Sequence, residues 1–266
     1  MTAIALTIAG SDSGGGAGIQ ADLKTFSALG VYGASVLTAI TAQNTRGVIA
    51  VEDVSAGMVR AQMDAVFSDL KVDAVKIGMV SRTETIEYIA AGLQGRKMPV
   101  VLDPVMVATS GDRLLQEDAV EGLRSMLLPL AVLATPNLPE AALLCGMKMA
   151  ASRNEVIQQA ETILKTGVGA VLIKGGHASG SESIDILLDS TGVQEFAMPR
   201  LETRNDHGTG CTLASAITAN LALGYPLADA IGLAKDYLQG ALAAGRTLRV
   251  GSGHGPVHHF YRWWSA

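Results

Sequence analysis

The residues best placed to do chemistry in this chain are Asn205-Asp206-His207-Gly208-Thr209-Gly210-Cys211-Thr212, followed at once by the helical pattern Leu213-Ala214-Ser215-Ala216. Where a glycine-rich loop enters a helix, the first backbone N–H groups lack intrahelical acceptors, converge on one point and stand at the positive end of the helix dipole. Such a point stabilises an anion, most of all one whose negative charge is still growing. Cys211 falls in the first turn, where the same field favours thiolate over thiol. Gly208, Thr209, Gly210 and Cys211 thus form a candidate anion hole with a candidate base beside it. The plainer alternatives are a simple turn for the glycines and a small buried hydrophobe for Cys211. Two familiar phosphate loops are excluded. Leu213 stands where the dinucleotide fingerprint needs a third small residue, and no Gly-Lys-Ser/Thr ending occurs anywhere.

Phosphoryl transfer from ATP would need more than an anion hole: oxygen ligands for Mg²⁺, a cation near the phosphates, and a group to orient the acceptor. Asp103 ends an apolar run, where an unpaired carboxylate is costly unless solvent or a metal reaches it. Asn137 and Glu140 sit three residues apart at a strand-to-helix turn, so their oxygens can face one side, as hard Mg²⁺ prefers; a helix-capping pair is the alternative. Lys174, flanked by Gly175 and Gly176, can extend into a cleft or lie solvated at a strand end. Gln43 carries a primary amide, a donor and an acceptor side by side at an expected strand end.

Elements must bring these residues together. Apolar runs alternate with helical patterns almost end to end. Strands are expected at Ala3–Ala9, Ala34–Ala39, Ala74–Ile77, Pro99–Leu102, Leu130–Ala134 and Ala170–Ile173, with a hairpin of Ile184–Leu188 and Gln194–Met198. Helices are expected over Ala17–Leu29, Ser55–Leu70 (capped by Ser55), Thr83–Leu93, Glu117–Leu127, Pro139–Cys145, Asn154–Thr166, Cys211–Leu223 and Leu227–Leu242. Fully apolar strands alternating with helices predict an α/β fold with a mostly parallel sheet and helices on both faces. In such sheets ligands bind at the carboxyl ends of the strands. The polar punctuation falls there: Gly10-Ser11-Asp12, Gln43-Asn44, Gly78-Met79, Asp103, Asn137 and Lys174.

The 266 residues, 48% hydrophobic and 17% charged, belong to a well-buried globular chain, and the absence of any linker or repeat favours one domain over residues 1–266. A net charge of −5, no basic run and 4% aromatics argue against nucleic acid as a partner. No apolar run reaches the ~18 residues of a membrane span. The start, Met1-Thr2-Ala3-Ile4-Ala5-Leu6, reads as a first strand rather than a signal peptide. Two cysteines, Cys145 and Cys211, make no disulfide framework, which points to a reducing cytoplasm.

In order along the whole chain, the segments Ala9-Gly10-Ser11-Asp12-Ser13-Gly14-Gly15-Gly16-Ala17-Gly18-Ile19-Gln20-Ala21-Asp22, Lys76-Ile77-Gly78-Met79, Leu102-Asp103-Pro104-Val105-Met106, Thr135-Pro136-Asn137-Leu138-Pro139-Glu140-Ala141, Lys174-Gly175-Gly176-His177, His207–Thr212 and Gly255-Pro256-Val257-His258-His259-Phe260 stand out. Together they resemble the ribokinase-like family, and within it the hydroxymethylpyrimidine/phosphomethylpyrimidine kinases of thiamine synthesis. The resemblance implies a ribokinase-like three-layer sandwich and two ATP- and Mg²⁺-dependent steps. The first acts on 4-amino-5-hydroxymethyl-2-methylpyrimidine and the second on its monophosphate. It implies an anion hole at Gly208–Cys211, with Cys211 where most ribokinase-like enzymes keep an aspartate, a departure typical of the pyrimidine kinases. It also implies Mg²⁺ organised by Asn137, Glu140 and Asp103, phosphate contact by Lys174, and substrate contact by Gln43, Gly10 and Asp12 between apolar walls Met79 and Val105. A homodimer is implied too. Asp22 could be structural or catalytic, the Gly14–Gly16 loop a close backbone approach or a flexible cap, and His258-His259 are expected to pack rather than bind metal. The rivals are a pyridoxine/pyridoxal kinase of the same fold and a non-catalytic ligand-binding regulatory module. Intact Cys211, Asn137, Glu140 and Lys174 argue against the latter.

Overall fold

The computed structural model describes residues 2–106, 117–176 and 180–264; His177, part of one motif above, lies outside them. The chain runs β1 (Ile4–Asp12), α1 (Gly18–Ala28), β2 (Tyr32–Asn44), β3 (Gly47–Asp53), α2 (Ala56–Asp69), β4 (Ala74–Ile77), α3 (Thr83–Leu93) and β5 (Val100–Leu102). It continues with α4 (Glu117–Gly122), β6 (Leu133–Ala134), α5 (Leu138–Cys145), α6 (Arg153–Leu164), β7 (Val171–Ile173), β8 (Glu182–Asp189), β9 (Gly192–Pro199), α7 (Thr209–Ala222) and α8 (Leu227–Gly245).

These strands form one nine-stranded sheet in the order β3-β2-β1-β4-β5-β6-β7-β8-β9. From β2 to β7 all neighbours are parallel; β3, β8 and β9 are antiparallel additions at the two edges. Alternation along the strands feeds two cores. Val100 and Leu102 of β5 pack on the face covered by α2, α3, α5 and α6, whereas Val101 packs on the face covered by α7 and α8. Ala214, Ala216 and Ala219 are fully buried, so α7 lies close against the sheet. The three-layer α/β expectation therefore holds. No helix among the described residues is long and apolar enough to cross a membrane.

Several boundaries differ from expectation. β2 runs on to Asn44, and β3 was not expected at all: Ile49 is 76% exposed and Val51 45%, so this edge strand has no core-facing stripe to signal it. The expected strand over Leu130–Ala134 shortens to two residues, because the α4 segment continues through a π turn and a 3₁₀ turn to Leu130. Ser55 caps α2, its hydroxyl accepting from the Met58 N–H at 3.3 Å. The chain crosses from one side of β1 to the other between β3 and β4, so β1 and β4 flank the crevice where such sheets bind ligands.

Candidate active site

Every residue expected in the site lines one cavity of about 800 Å³ at the carboxyl ends of the strands. Its floor is the entry to α7. Gly208 caps that helix with φ 81°, and a side chain there would collide with the Gly16 carbonyl oxygen, so glycine is required twice over. The Gly208 carbonyl accepts from the Thr212 N–H at 2.8 Å, and the Thr209 N–H is committed to the Asp206 carbonyl at 3.3 Å. The N–H groups of Gly208, Gly210 and Cys211 have no acceptor among the described residues and are the donors left for an anion. Thr209 is the one member of the expected hole whose N–H is engaged elsewhere.

The Gly14–Gly16 loop wraps a carboxylate. Asp12 Oδ1 accepts from Gly14 N–H at 2.8 Å, and Oδ2 from Gly16 and Ala17 N–H at 3.0 and 2.9 Å. Oδ2 also meets His207 Nε2 at 2.9 Å. The carboxylate expected to touch substrate is thus consumed by its own loop, and Asp12 reaches the cavity's ligand space through His207. The loop is a fixed close approach rather than a loose cap: a side chain on Gly16 would strike the His207 ring.

Asp103 is not unpaired. Its Oδ1 accepts from Lys174 Nζ at 2.7 Å and from the Thr135 hydroxyl at 3.1 Å, while its buried Oδ2 has no partner. Burial raises the Asp103 carboxyl, but Lys174 and Lys76 outweigh it and hold the group below its ordinary value. Lys174 is a buried residue between two acids rather than a solvated strand end, 3.9 Å from Glu140 Oε2. Burial lowers its pKa, and Asp103 and Glu140 raise it further than burial lowers it. Asn137 and Glu140 do cap α5. Asn137 Oδ1 accepts from Glu140 N–H at 2.9 Å, and Glu140 Oε2 from Asn137 N–H at 2.8 Å. Burial, against the pull of Lys174 and with the push of Asp103, lifts the Glu140 carboxyl to about 7.

These donors fit a hard divalent cation in one specific way. Mg²⁺ takes one or two carboxylates and completes its shell with water and substrate phosphates. The unpartnered Asp103 Oδ2 could supply one, and Glu140, which also takes a backbone N–H from Met106, could supply a second. Among the described residues no cluster of three His, Cys, Asp or Glu side chains could hold a metal unaided.

At Cys211 burial works against the thiolate expectation. Burial raises its thiol to about 11; Lys76 pulls it down, Asp22 and Asp103 push it up again, and the Gly18 N–H lowers it slightly. The nearby Lys76 is itself paired. Lys76 Nζ donates to both oxygens of Asp22 at 2.8 and 2.9 Å, and Asp22 also accepts from Thr7 and Ser215 hydroxyls at 2.6 Å each. This settles Asp22 as a buried strut linking α1, β1, β4 and α7.

Gln43 also lines the cavity, between Thr41 and His207, as do Gly10, Met79 and Val105. A side chain on Gly10 would press on the Met79 methyl, so the two fix one apolar wall.

With this geometry in hand, comparison with known proteins is decisive. The profile of the phosphomethylpyrimidine kinase family matches residues 12–258. The chain belongs to that family. The hydroxymethylpyrimidine/phosphomethylpyrimidine kinase of Rhizobium meliloti (strain 1021) is 65% identical over 264 residues, 99% of both chains. Among solved structures, phosphomethylpyrimidine kinase from Clostridium difficile 630 is 48% identical with TM-score 0.79, covering 89% of this chain and 97% of that one. The ADP complex of Bacillus subtilis pyridoxal kinase is 36% identical with TM-score 0.91, covering 99% and 100%.

For a phosphomethylpyrimidine kinase family member, sequence reasoning missed several cavity residues. His207 sat inside the glycine motif without a role. Asp185 and Lys235 form a buried pair at 2.9 Å, and Asp185 Oδ1 accepts from the Gly175 N–H at 2.8 Å, holding the strand end that carries Lys174. Arg200 donates to the Gly176 and Gly180 carbonyls at 2.7 and 2.9 Å. A charged residue within an amphipathic helix or hairpin gives no signal of what it meets across the fold. His258-His259 pack as expected: the His258 ring lies 4.2 Å from that of Trp264, and burial lowers the His259 imidazole to about 3.

Proposed function

We propose that this protein is an ATP- and Mg²⁺-dependent kinase that phosphorylates 4-amino-5-hydroxymethyl-2-methylpyrimidine and then its monophosphate, in the cytoplasm and as a homodimer. One observation carries the reading: a single cavity is lined by an amide suited to the aminopyrimidine edge, Gln43, and by the unpaired α7 N–H groups and Lys174. Gln43 orients the acceptor between Met79 and Val105. Gly208, Gly210 and Cys211 N–H groups stabilise the charge of the transferring phosphoryl group, and Lys174 contacts phosphate oxygens. Asp103 and Glu140, with Asn137 behind Glu140, would hold Mg²⁺, which supplies charge neutralisation on the nucleotide phosphates.

Cys211 contributes its backbone N–H and a small thiol surface rather than a thiolate base. Transfer through a loose transition state needs little help from a base, so the alcohol proton leaves late. The reading is tested by following the alcohol with ATP and Mg²⁺ to completion. Two ADP per pyrimidine, with the monophosphate appearing first, is the expected result; an end point of one ADP contradicts the second step.

A second reading is favoured by one observation. The fold superposes more closely on pyridoxal kinase, TM-score 0.91, than on the clostridial pyrimidine kinase, 0.79. Sequence identity runs the other way, at 36% against 48%. The shared cavity therefore supports pyridoxal as a secondary acceptor.

A further inference from the structure

The wall around Gln43 over-determines which way its amide faces. Thr41 Oγ1 lies 2.8 Å from the Ser11 carbonyl oxygen and 3.0 Å from Gln43 Oε1. A hydroxyl has one proton and a backbone carbonyl can only accept, so that proton goes to Ser11. Thr41 then faces Gln43 Oε1 with lone pairs alone, oxygen against oxygen. At the amide's other end Gln43 Nε2 lies 3.4 Å from His207 Nε2, which is 2.9 Å from Asp12 Oδ2. Burial raises the Asp12 carboxyl, but the His207 hydrogen bond and the Ala17 and Gly14 N–H groups together bring it below its ordinary value. An ionised carboxylate only accepts, so His207 Nε2 carries the proton and gives it to Asp12, which leaves that nitrogen no lone pair to accept from the Gln43 NH₂. One motion resolves both ends. A half-turn of the amide exchanges its oxygen and nitrogen, so that the NH₂ donates to Thr41 Oγ1 and the oxygen faces the His207 N–H.

We propose that Gln43 reads its substrate in this turned orientation, and that Thr41 and the Asp12–His207 pair are the positioning residues that hold it there. This rests on the aminopyrimidine alcohol being the substrate. Along that ring the order is nitrogen, amino-bearing carbon, hydroxymethyl-bearing carbon. The turned amide keeps its second lone pair for the amino group on the His207 side, and its second hydrogen for the ring nitrogen on the Thr41 side. The next group along the ring, the hydroxymethyl, is then directed toward His207 and Gly208, where the anion loop begins. The unturned amide would reverse the ring and send the alcohol away from that loop. Steric and electrostatic fit at Thr41, at His207 and at the reacting carbon therefore agree on one orientation.

The 4-oxo analogue of the alcohol, with a ring N–H beside a carbonyl, reverses donor and acceptor and is rejected by a fixed amide. Thr41→Val removes the acceptor that holds the NH₂. The ratio of kcat/KM for the amino over the oxo compound is expected to fall roughly tenfold or more, the cost of one mispaired hydrogen bond. The KM for ATP should not move, and Thr41→Ser should keep the wild-type ratio. A wild-type ratio in Thr41→Val would overturn the proposal. Neutron diffraction from deuterated wild-type crystals decides it without any variant: deuterons on the terminal atom of Gln43 facing Thr41 are expected, and deuterons on the atom facing His207 would overturn it. Wild-type protein with no turnover of the aminopyrimidine alcohol would remove the functional reading, while the neutron measurement still decides the amide.

Discussion

At the scale of single residues, two groups carry the sharpest consequences. A thiolate base at Cys211 would make Cys211→Ala slow the alcohol step far more than the monophosphate step, because a phosphate acceptor with a second pKa near ~6 is already ionised at neutral pH. With the thiol raised to about 11 by burial, that contrast should vanish. We expect losses on the two acceptors within a few-fold of each other, and, at saturating Mg²⁺, a flat wild-type kcat on the alcohol from about pH 8.5 to 9.5, above the range in which Glu140 gains its charge. A kcat that climbs steadily over that range would restore the base. Glu140 titrates in the opposite setting. Its carboxyl moves from 4.5 to about 7, so the folded protein disfavours its charged form. The sign follows: this group's contribution to stability falls as pH rises from about 4.5 to 7, and its capacity to hold Mg²⁺ rises as pH passes through 7. Mg²⁺ titrations at saturating ATP, corrected for the nucleotide's own protonation, should show tighter apparent binding at pH 8 than at pH 6. Glu140→Gln should lower kcat, flatten that pH dependence and leave the fold intact, since a neutral amide oxygen can still accept the Asn137 N–H. A variant with wild-type kcat and unchanged Mg²⁺ response would reduce Asn137 and Glu140 to their helix-cap role.

At the scale of elements, the site depends on how four of them are tied together. Asp22 on α1, Thr7 on β1, Lys76 on β4 and Ser215 on α7 meet in a fully buried network one helical turn beyond Cys211. Asp22→Asn leaves the Lys76 ammonium buried without its counter-charge and should cost about 3–5 kcal/mol, read from denaturant unfolding. Asp22→Asn with Lys76→Met should cost clearly less than the sum of the two single changes; strict additivity would mean the pair is not coupled. Much of this level was legible beforehand. β4 and α3 fall within their expected bounds because Ala74–Ile77 is uniformly apolar and Thr83–Leu93 has a clean helical stripe. β3 escaped because an exposed edge strand has no buried face to impose a pattern. The strut escaped for a related reason: lysine in an apolar strand reads as an interruption until its partner, 54 residues away, is placed beside it. At the site, residue types and strand-end positions located the cavity. They did not reveal that Asp12 serves its own loop, or that burial pushes the Cys211 thiol up, because both depend on what packs around a group.

At the scale of the whole molecule, a parallel sheet with its crossover beside β1 gathers six strand ends onto one rim, and the two faces of the sheet are closed by separate helix layers. The cavity is continuous from Gln43 to Lys174, and on the proposed reading it holds acceptor and phosphate donor in one frame, with orientation rather than a strong base carrying the rate. The same frame superposes on a pyridoxal kinase, so on the proposed reading substrate choice rests on the few side chains around Gln43. Gln43→Leu would leave the pyrimidine's amino group and ring nitrogen unpaired, at about 1–3 kcal/mol in substrate binding.

The most direct test of the central claim is the wild-type kcat/KM, with ATP and Mg²⁺ in excess, for 4-amino-5-hydroxymethyl-2-methylpyrimidine and for pyridoxal in parallel. The pyrimidine should be turned over with the clearly higher value; a clearly higher value for pyridoxal would contradict the account.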